Sequence, residues 1–314
     1  MRMGLAIDAA CDVSQAFLQH NRIAVMPITV KVDDDTFMDD REPDEWQRFI
    51  DRQLGSRSHA ALTEPSPVAA VQKLFLEKLV LEQDCVFCLT ITATRTPIFE
   101  HVNKASFAIL KNYRQVREHA AVPGPFMMRV IDTRNLFAGA APAIHEASRM
   151  IAANAAPPEI RARLLYIADH SYGYVVPRDL YYIRARAKKK NDHSVGLFAA
   201  MLGSALDIKP ILRCFQGETG PVGKVRGFEQ GAEALFGYAA RRVREGLLVP
   251  VVCVSYGGDL AVLGQLPGYA ALRTACQECG VELMEAPMSI TGMVNVGEGA
   301  VSLGLAAEEH EAAF

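Results

Sequence analysis

Short apolar runs recur along this chain, each followed by a longer stretch whose apolar positions return at helical spacing. Met3–Ile7 is the first such run; it ends in Asp8-Ala-Ala-Cys-Asp12 and leads into a predicted helix over Ser14–Asn21. Ile23–Val32 alternates and predicts a second strand, and Pro43–Leu54 carries Trp46, Phe49 and Ile50 on one helical face. The alternation continues with a helix over Val68–Leu81, a buried strand over Cys85–Ile91, a helix over Ile98–Arg117, a strand over Met127–Ile131 and a helix from about Leu136 to Ala153. Strands alternating with helices predict an α/β fold with a mostly parallel, helix-covered sheet.

Asn154-Ala-Ala-Pro157-Pro158 is loop-like and predicts a boundary between two α/β domains, 1–156 and 157–314. In the second, Pro158–Leu164 reads as helix and Leu165–Ala168 as strand, followed by an aromatic patch of Tyr172, Tyr174, Tyr181 and Tyr182. Val195–Leu206 is an uncharged run of small and apolar residues, too short to cross a bilayer, and reads as a buried helix. Ile208–Leu212, the turn residues Gln216–Gly220 and Val222–Arg226 then predict a hairpin. Pro210 cannot donate to a ladder, which places that hairpin at a sheet edge or beside a cleft. Helices over Phe228–Arg244 and Gly268–Cys279 alternate with strands over Val249–Ser255 and Val281–Ala286. A glycine-rich segment, Thr291–Gly299, precedes a short closing helix and an acidic tail. The second domain is thus expected to hold a mixed sheet with helices, with a ligand in the inter-domain cleft.

Composition narrows the function classes. At 314 residues, half of them hydrophobic and 22% charged, the chain is ordinary for a soluble protein with more than one core. A net charge of −3 offers no bulk attraction to nucleic acid or anionic lipid. No apolar run is long enough to span a membrane and no signal-peptide core precedes Asp8, so a cytoplasmic location is expected. Two CxxC pairs, Cys85/Cys88 and Cys276/Cys279, raise a zinc or redox reading. In a strand the first pair would point its thiols to opposite faces, and nothing near the second completes a tetrahedral set. Reduced, structural cysteines are expected.

Two hydroxyl-rich stretches stand just ahead of helices. Leu62-Thr63-Glu64-Pro65-Ser66-Pro67 reads either as capping by Thr63 and Ser66 or as an anion site made of hydroxyls and free N–H groups. Thr92-Ala-Thr94-Arg95-Thr96-Pro97 repeats that chemistry, and two such turns at adjacent sheet ends would grip one carboxylate or phosphate. The acidic cluster Asp33-Asp34-Asp35 with Asp39-Asp40 lacks EF-hand spacing and reads as a solvated turn. The basic run Arg184–Lys190 reads as a solvated helix end or as a site for a phosphate or an acidic partner. Neither GxSxG, HExxH nor GxxxxGK[ST] occurs, which favours binding over catalysis. The alternative is an enzyme acting on a small phosphorylated or carboxylated metabolite in the same cleft, using Asp8 or Asp12 with a metal.

In order and spacing, Ile7–Asp12, Thr63–Pro67, Leu202-Gly-Ser-Ala-Leu-Asp-Ile-Lys-Pro-Ile-Leu212, Gly217 and Lys224-Val225-Arg226 together resemble the DegV family of bacterial fatty-acid-binding proteins. The resemblance implies that one long-chain acyl group, palmitate-like, lies between two α/β domains with no further cofactor. It also implies a separate kinase that receives the carboxylate and makes acyl phosphate. By position, Thr63 matches the serine of the family's first hydroxyl motif, with Leu62 in place of the threonine before it. Thr96 matches the serine of the second, next to Arg95 and with Pro97 in place of glycine. Arg226 matches the family's arginine, Asn295 stands where many relatives have histidine, and Glu298 replaces a proline. The implied ligand set is therefore Thr63, Thr96, Arg226 and Asn295 with Leu62 and Arg95 at the head group, and Phe198, Met201 and Leu202 along the tail.

Overall fold

The computed structural model describes residues 1–55, 60–183 and 207–314. The helix expected over 195–206, with Phe198, Met201 and Leu202, and the basic run 184–190 lie outside the described residues.

The strands in chain order are β1 (Met3–Asp8), β2 (Ala24–Met26), β3 (Ile28–Val32), β4 (Asp35–Asp39), β5 (Ala61–Pro65), β6 (Cys85–Thr90), β7 (Met127–Asp132), β8 (Ser171–Val176), β9 (Ile208–Phe215), β10 (Glu218–Arg226), β11 (Val251–Tyr256), β12 (Glu282–Pro287) and β13 (Val301–Ala306). They form three sheets. A parallel sheet runs β2-β1-β6-β7, a mixed sheet runs β10-β9-β8-β13-β11-β12, and a small antiparallel sheet runs β4-β3-β5. The architecture is therefore α/β, with one parallel, helix-covered sheet and one mixed sheet. The β9–β10 hairpin lies at the edge of the mixed sheet, where Pro210 and Pro221 are tolerated.

Each face of the mixed sheet has its own partner. On β11, Val252, Val254 and Tyr256 pack with Phe236, Tyr238 and Leu272 of the helices Phe228–Glu245 and Tyr269–Cys279. The alternate residues Val251 and Cys253 join the core of the parallel sheet, with Leu5, Ile7 and Phe87. A strand covered on both faces must be apolar throughout, and all six residues of β11 are buried. Helix Pro157–Asp169 also sends Ile160, Leu164 and Ile167 into that first core. The small sheet packs Val30, Val32 and Phe37 on Ile290, Met293 and Val294 of helix Ile290–Val296.

Several local expectations change. Ile23–Val32 is two strands in two sheets, because Pro27 lacks the N–H a continuous ladder needs. Leu165–Ala168 continues helix Pro157–Asp169. Leu164 and Ile167 face the core while Leu165 and Tyr166 stay exposed, a helical spacing hidden in a continuous apolar run. Thr63 lies within β5 rather than at a helix cap. Ser66 Oγ donates to the Pro27 carbonyl at 2.7 Å, and the next helix begins after Pro67 without a side-chain cap. Asp39 is no solvated turn residue: it is buried and accepts the Thr291 N–H at 2.7 Å.

The closing segment is the largest correction. Part of the glycine-rich stretch is itself helix Ile290–Val296, and the expected closing helix is β13, an interior strand. Gly304 of β13 pairs with Gly173 of β8, and the turn Phe137–Ala140 lies directly on both. A Cβ at Gly304 would collide with the Ala138 carbonyl, which is backbone and cannot swing away. The small residues that made this segment look loop-like are what allow the close approach.

Candidate functional site

The carboxyl ends of β1, β6 and β7 meet along one rim, the usual ligand side of a parallel sheet. Asp8, the last residue of β1, is fully buried and accepts the Ala10 N–H at 2.9 Å and the Ile91 N–H at 2.7 Å. Burial outweighs those bonds and pushes its carboxyl up to about 7. Asp132, the last residue of β7, accepts the Ala93 N–H at 3.1 Å and the Arg134 N–H at 2.7 Å. Each carboxylate thus anchors the loop that leaves this rim.

After β6 comes the hydroxyl turn. Thr92 is buried and its N–H donates to the Asn135 carbonyl at 2.9 Å; its hydroxyl lies 3.1 Å from that of Thr94. Thr94 Oγ1 donates to the Gly217 carbonyl at 2.6 Å, and the Arg95 guanidinium bonds the Thr219 hydroxyl. The Gly217 N–H returns a bond to the Arg134 carbonyl at 2.7 Å. Gly217 has φ +82°, which permits the tight turn between β9 and β10. Asn135 Nδ2 adds bonds to the carbonyls of Ser171 and Cys214. The hairpin tip of the mixed sheet is therefore docked on the hydroxyl turn of the parallel sheet.

Thr96 is half-buried beside Pro97, where helix Ile98–Ala108 begins. Thr63 pairs with Val30 across β5 and β3, so it shares the inward face. The end of β5 reaches the same helix, for His101 Nδ1 lies 3.0 Å from the Ser66 carbonyl. Below them a narrow, largely apolar crevice of about 10 Å³ is lined by Asp8, Met26, Ile28, Pro65 and Val102. Helix Ile290–Val296, with Asn295, packs on the small sheet that carries Thr63. Asn295 Nδ2 donates to the Thr291 carbonyl of its own helix at 2.7 Å. Thr63, Thr96 and Asn295 thus stand on three neighbouring elements.

Leu62 faces the other way, and Arg226 stands far from Arg95. Leu62 pairs with Lys31 on the opposite face of β5 and is 47% exposed. Arg226 is exposed at the far end of β10 from Thr219, the residue Arg95 touches. Seven residues at about 3.3 Å each put it roughly 23 Å away along the strand. One carboxylate cannot be held by Arg95 and Arg226 together.

A second junction escaped the sequence reading. Arg41, after β4, bonds Asp12 Oδ1 at 3.1 Å and the carbonyls of Val13 at 3.1 Å and Pro287 at 2.8 Å. Asp12 also accepts the Ser255 hydroxyl at 2.6 Å and the Ser289 N–H at 3.0 Å. Burial raises the Asp12 carboxyl, and Arg41 and Ser255 pull it back. Nothing in the spacing of Asp12 and Arg41 marks them as partners. Asn135, which precedes the helix expected from Leu136, likewise carries no sign in the sequence of the carbonyls it bonds. Among the described residues no three His, Cys, Asp or Glu side chains converge as a metal-ligand set, and no helix is long and apolar enough to cross a membrane.

The fold and this rim define a class: an α/β protein in which a parallel and a mixed sheet are joined through hydroxyl-bearing turns. The DegV family profile, described as an uncharacterised protein family, matches residues 2–308, and the chain belongs to the DegV family. A DegV domain-containing protein of Xanthomonas campestris pv. campestris is 52% identical over 310 residues, covering 99% of each chain. A DegV lipid-binding protein of Thermotoga maritima superposes with a TM-score of 0.76 at 21% identity, covering 99% of this chain and 100% of that one. A fatty acid (stearic acid)-binding protein of Eubacterium ventriosum also superposes with a TM-score of 0.76, at 19% identity and 98% coverage of each chain.

Proposed function

We propose that this protein binds one long-chain fatty acid, palmitate-like, between its two α/β halves, with domains 1–156 and 157–314 and a cytoplasmic location as parts of the same reading. What supports it is that Thr63 and Asn295 lie on a strand and a helix that pack together, and that the end of that strand reaches the helix that Thr96 precedes, after β6 of the parallel sheet. The family relation and the lipid-binding neighbours support it.

The physical logic separates tail from head. Burying methylenes at about 0.8 kcal/mol each gives on the order of 11 kcal/mol for about fourteen, before the cost of association. The carboxylate opposes burial unless hydrogen bonds meet it, which is the part given to the hydroxyls of Thr63 and Thr96. Phe198, Met201 and Leu202 are the proposed tail wall. The geometry favours leaving Leu62 and Arg226 out of the head-group set.

Mass spectrometry of lipid released from the denatured, purified protein tests the reading. An acyl chain near one per protein, or uptake of added palmitate, is expected; the lack of both would sink it. Through the family resemblance the reading extends to a kinase that phosphorylates the bound carboxylate. ATP-dependent acyl phosphate formation in a lysate supplied with loaded protein tests that step. The rival enzyme using Asp8 or Asp12 with a metal gains no support from carboxylates whose oxygens already serve the Ala10 and Ile91 N–H groups at Asp8, and Arg41, Ser255 and Ser289 at Asp12.

A further inference from the structure

Away from the rim just described, a groove of about 490 Å³ opens between the small sheet and the mixed sheet. Its apolar surface comes from Met38, Trp46, Ile50, Leu260 and Pro287. Met38 is 42% exposed, and the indole of Trp46 is pinned by a 2.8 Å bond from Nε1 to the Met288 carbonyl. Around this surface stand the carboxylates of Asp40, Glu42, Glu45 and Asp259, with Asp39 buried beside them. The cation that lines the groove, Arg41, is buried and already paired with Asp12. Gln47 spends its amide nitrogen on Asp51 at 2.7 Å, which leaves its oxygen as a further acceptor.

The carboxylates keep most of their capacity. Asp40 accepts the Glu42 N–H at 3.1 Å and Asp259 the Ala261 N–H at 2.9 Å, each through one oxygen, while Glu45 meets Arg48 at 3.0 Å in a half-exposed pair. Acceptors of one sign spaced around apolar patches ask for a ligand with the inverse pattern, cations separated by methylenes. The volume is within the range of small-molecule sites, and an indole face adds attraction for an ammonium group.

The geometry points to this groove as a binding site for a small organic polycation of the polyamine class. Its ammonium groups meet the carboxylates, and its methylenes lie on Trp46, Met38 and Leu260. Binding weakens with added salt, as expected for half-exposed ion pairs.

Trp46 is the single tryptophan of the chain, so fluorescence excited selectively at tryptophan reports on this groove. Titration of the full chain with spermidine is expected to give a saturable change in that fluorescence, with magnesium chloride at equal charge giving none. Asp40→Asn combined with Glu42→Gln, both on the surface, should weaken the response about tenfold, the loss of two exposed ion pairs. Far-UV circular dichroism verifies the fold of the variant. No saturable change, an equal response to magnesium, or unchanged affinity in the variant would each overturn the assignment. A short lysine-rich peptide that outcompetes spermidine would overturn it too, in favour of a protein-docking surface.

Discussion

The two junctions between the halves are built from opposite materials. At one, Arg41 and Asp12 form an ion pair with side chains 3% and 0% exposed, ringed by the Ser255 hydroxyl and the carbonyls of Val13 and Pro287. At the other, Thr94 and Arg95 reach the carbonyl of Gly217 and the hydroxyl of Thr219 from a turn whose Ala93 and Thr94 are exposed. The first junction is dry, charged and tied at several points. The second is made by two loop tips, partly exposed at Thr94 and Arg95, with the half-exposed Arg134–Asp169 pair beside them. On the proposed function, a ligand entering between the halves would meet less resistance at the second. Water can replace its exposed hydrogen bonds, whereas parting the first would strip the buried Asp12 of its Ser255 and Ser289 donors and Arg41 of the Pro287 carbonyl.

The comparison is broken most directly at Arg41. Arg41→Ala leaves the Asp12 carboxylate buried without its partner and is expected to cost about 3–5 kcal/mol in urea denaturation. Thr94→Val removes one hydroxyl bond and should cost about 1 kcal/mol. Equal losses at the two sites would erase the distinction.

The next effect is one of pH. Asp8, held near 7 by burial, keeps its proton in the folded protein between about pH 4 and pH 7, a window in which the unfolded chain has released it. The folded state then binds more protons than the unfolded one, so stability falls as pH rises through that window. Asp39, raised to about 6 by burial, acts in the same direction. Stability at pH 5 is expected to exceed that at pH 8 by on the order of 1–3 kcal/mol, and Asp8→Asn should flatten the slope. At lower pH the sign reverses through Asp84, held well below the usual carboxylate range by Arg2 and Arg117. A denaturation series that rises steadily from pH 4 to pH 8 would contradict this account of the rim.

Smaller again is the head-group effect. Thr63→Val with Thr96→Val should raise the Kd for palmitate about tenfold by removing two hydroxyl donors, with stability little changed. Unchanged affinity would place the carboxylate elsewhere.

What the sequence made legible follows from how each signal arises. The parallel sheet and the edge hairpin are written in local periodicity and in Pro210 and stand as read, while the helix expected over Ile98–Arg117 breaks at Asn112 into Ile98–Ala108 and Tyr113–His119. β13 was missed because an interior strand covered on both faces has no alternation to show, and its Gly304 serves the close approach of a neighbouring turn. The Asp12–Arg41 pair was invisible for a related reason. Twenty-nine residues separate the two, and only the packing of three sheets brings them together. The hydroxyl turn 92–96 was visible by composition, but not that Thr94 and Arg95 would be taken by the hairpin tip.

The smallest expected effect is the most informative about that hairpin. Arg226 closes the motif by which its strand resembles the family, yet it stands at the end of β10 remote from the tip that touches Arg95. An arginine side chain cannot cross a separation of roughly 20 Å or more, as strand geometry implies here. At that distance its Coulomb attraction for a bound carboxylate is screened by salt to near nothing. Arg226→Ala is therefore expected to leave the Kd for palmitate within about twofold, measured by displacement of a fluorescent fatty acid at physiological salt. A loss of tenfold or more would mean that the carboxylate lies at the Arg226 end of the hairpin. The ligand would then run in the opposite direction, with its tail toward Thr96 and the hydroxyl turn acting only as a joint.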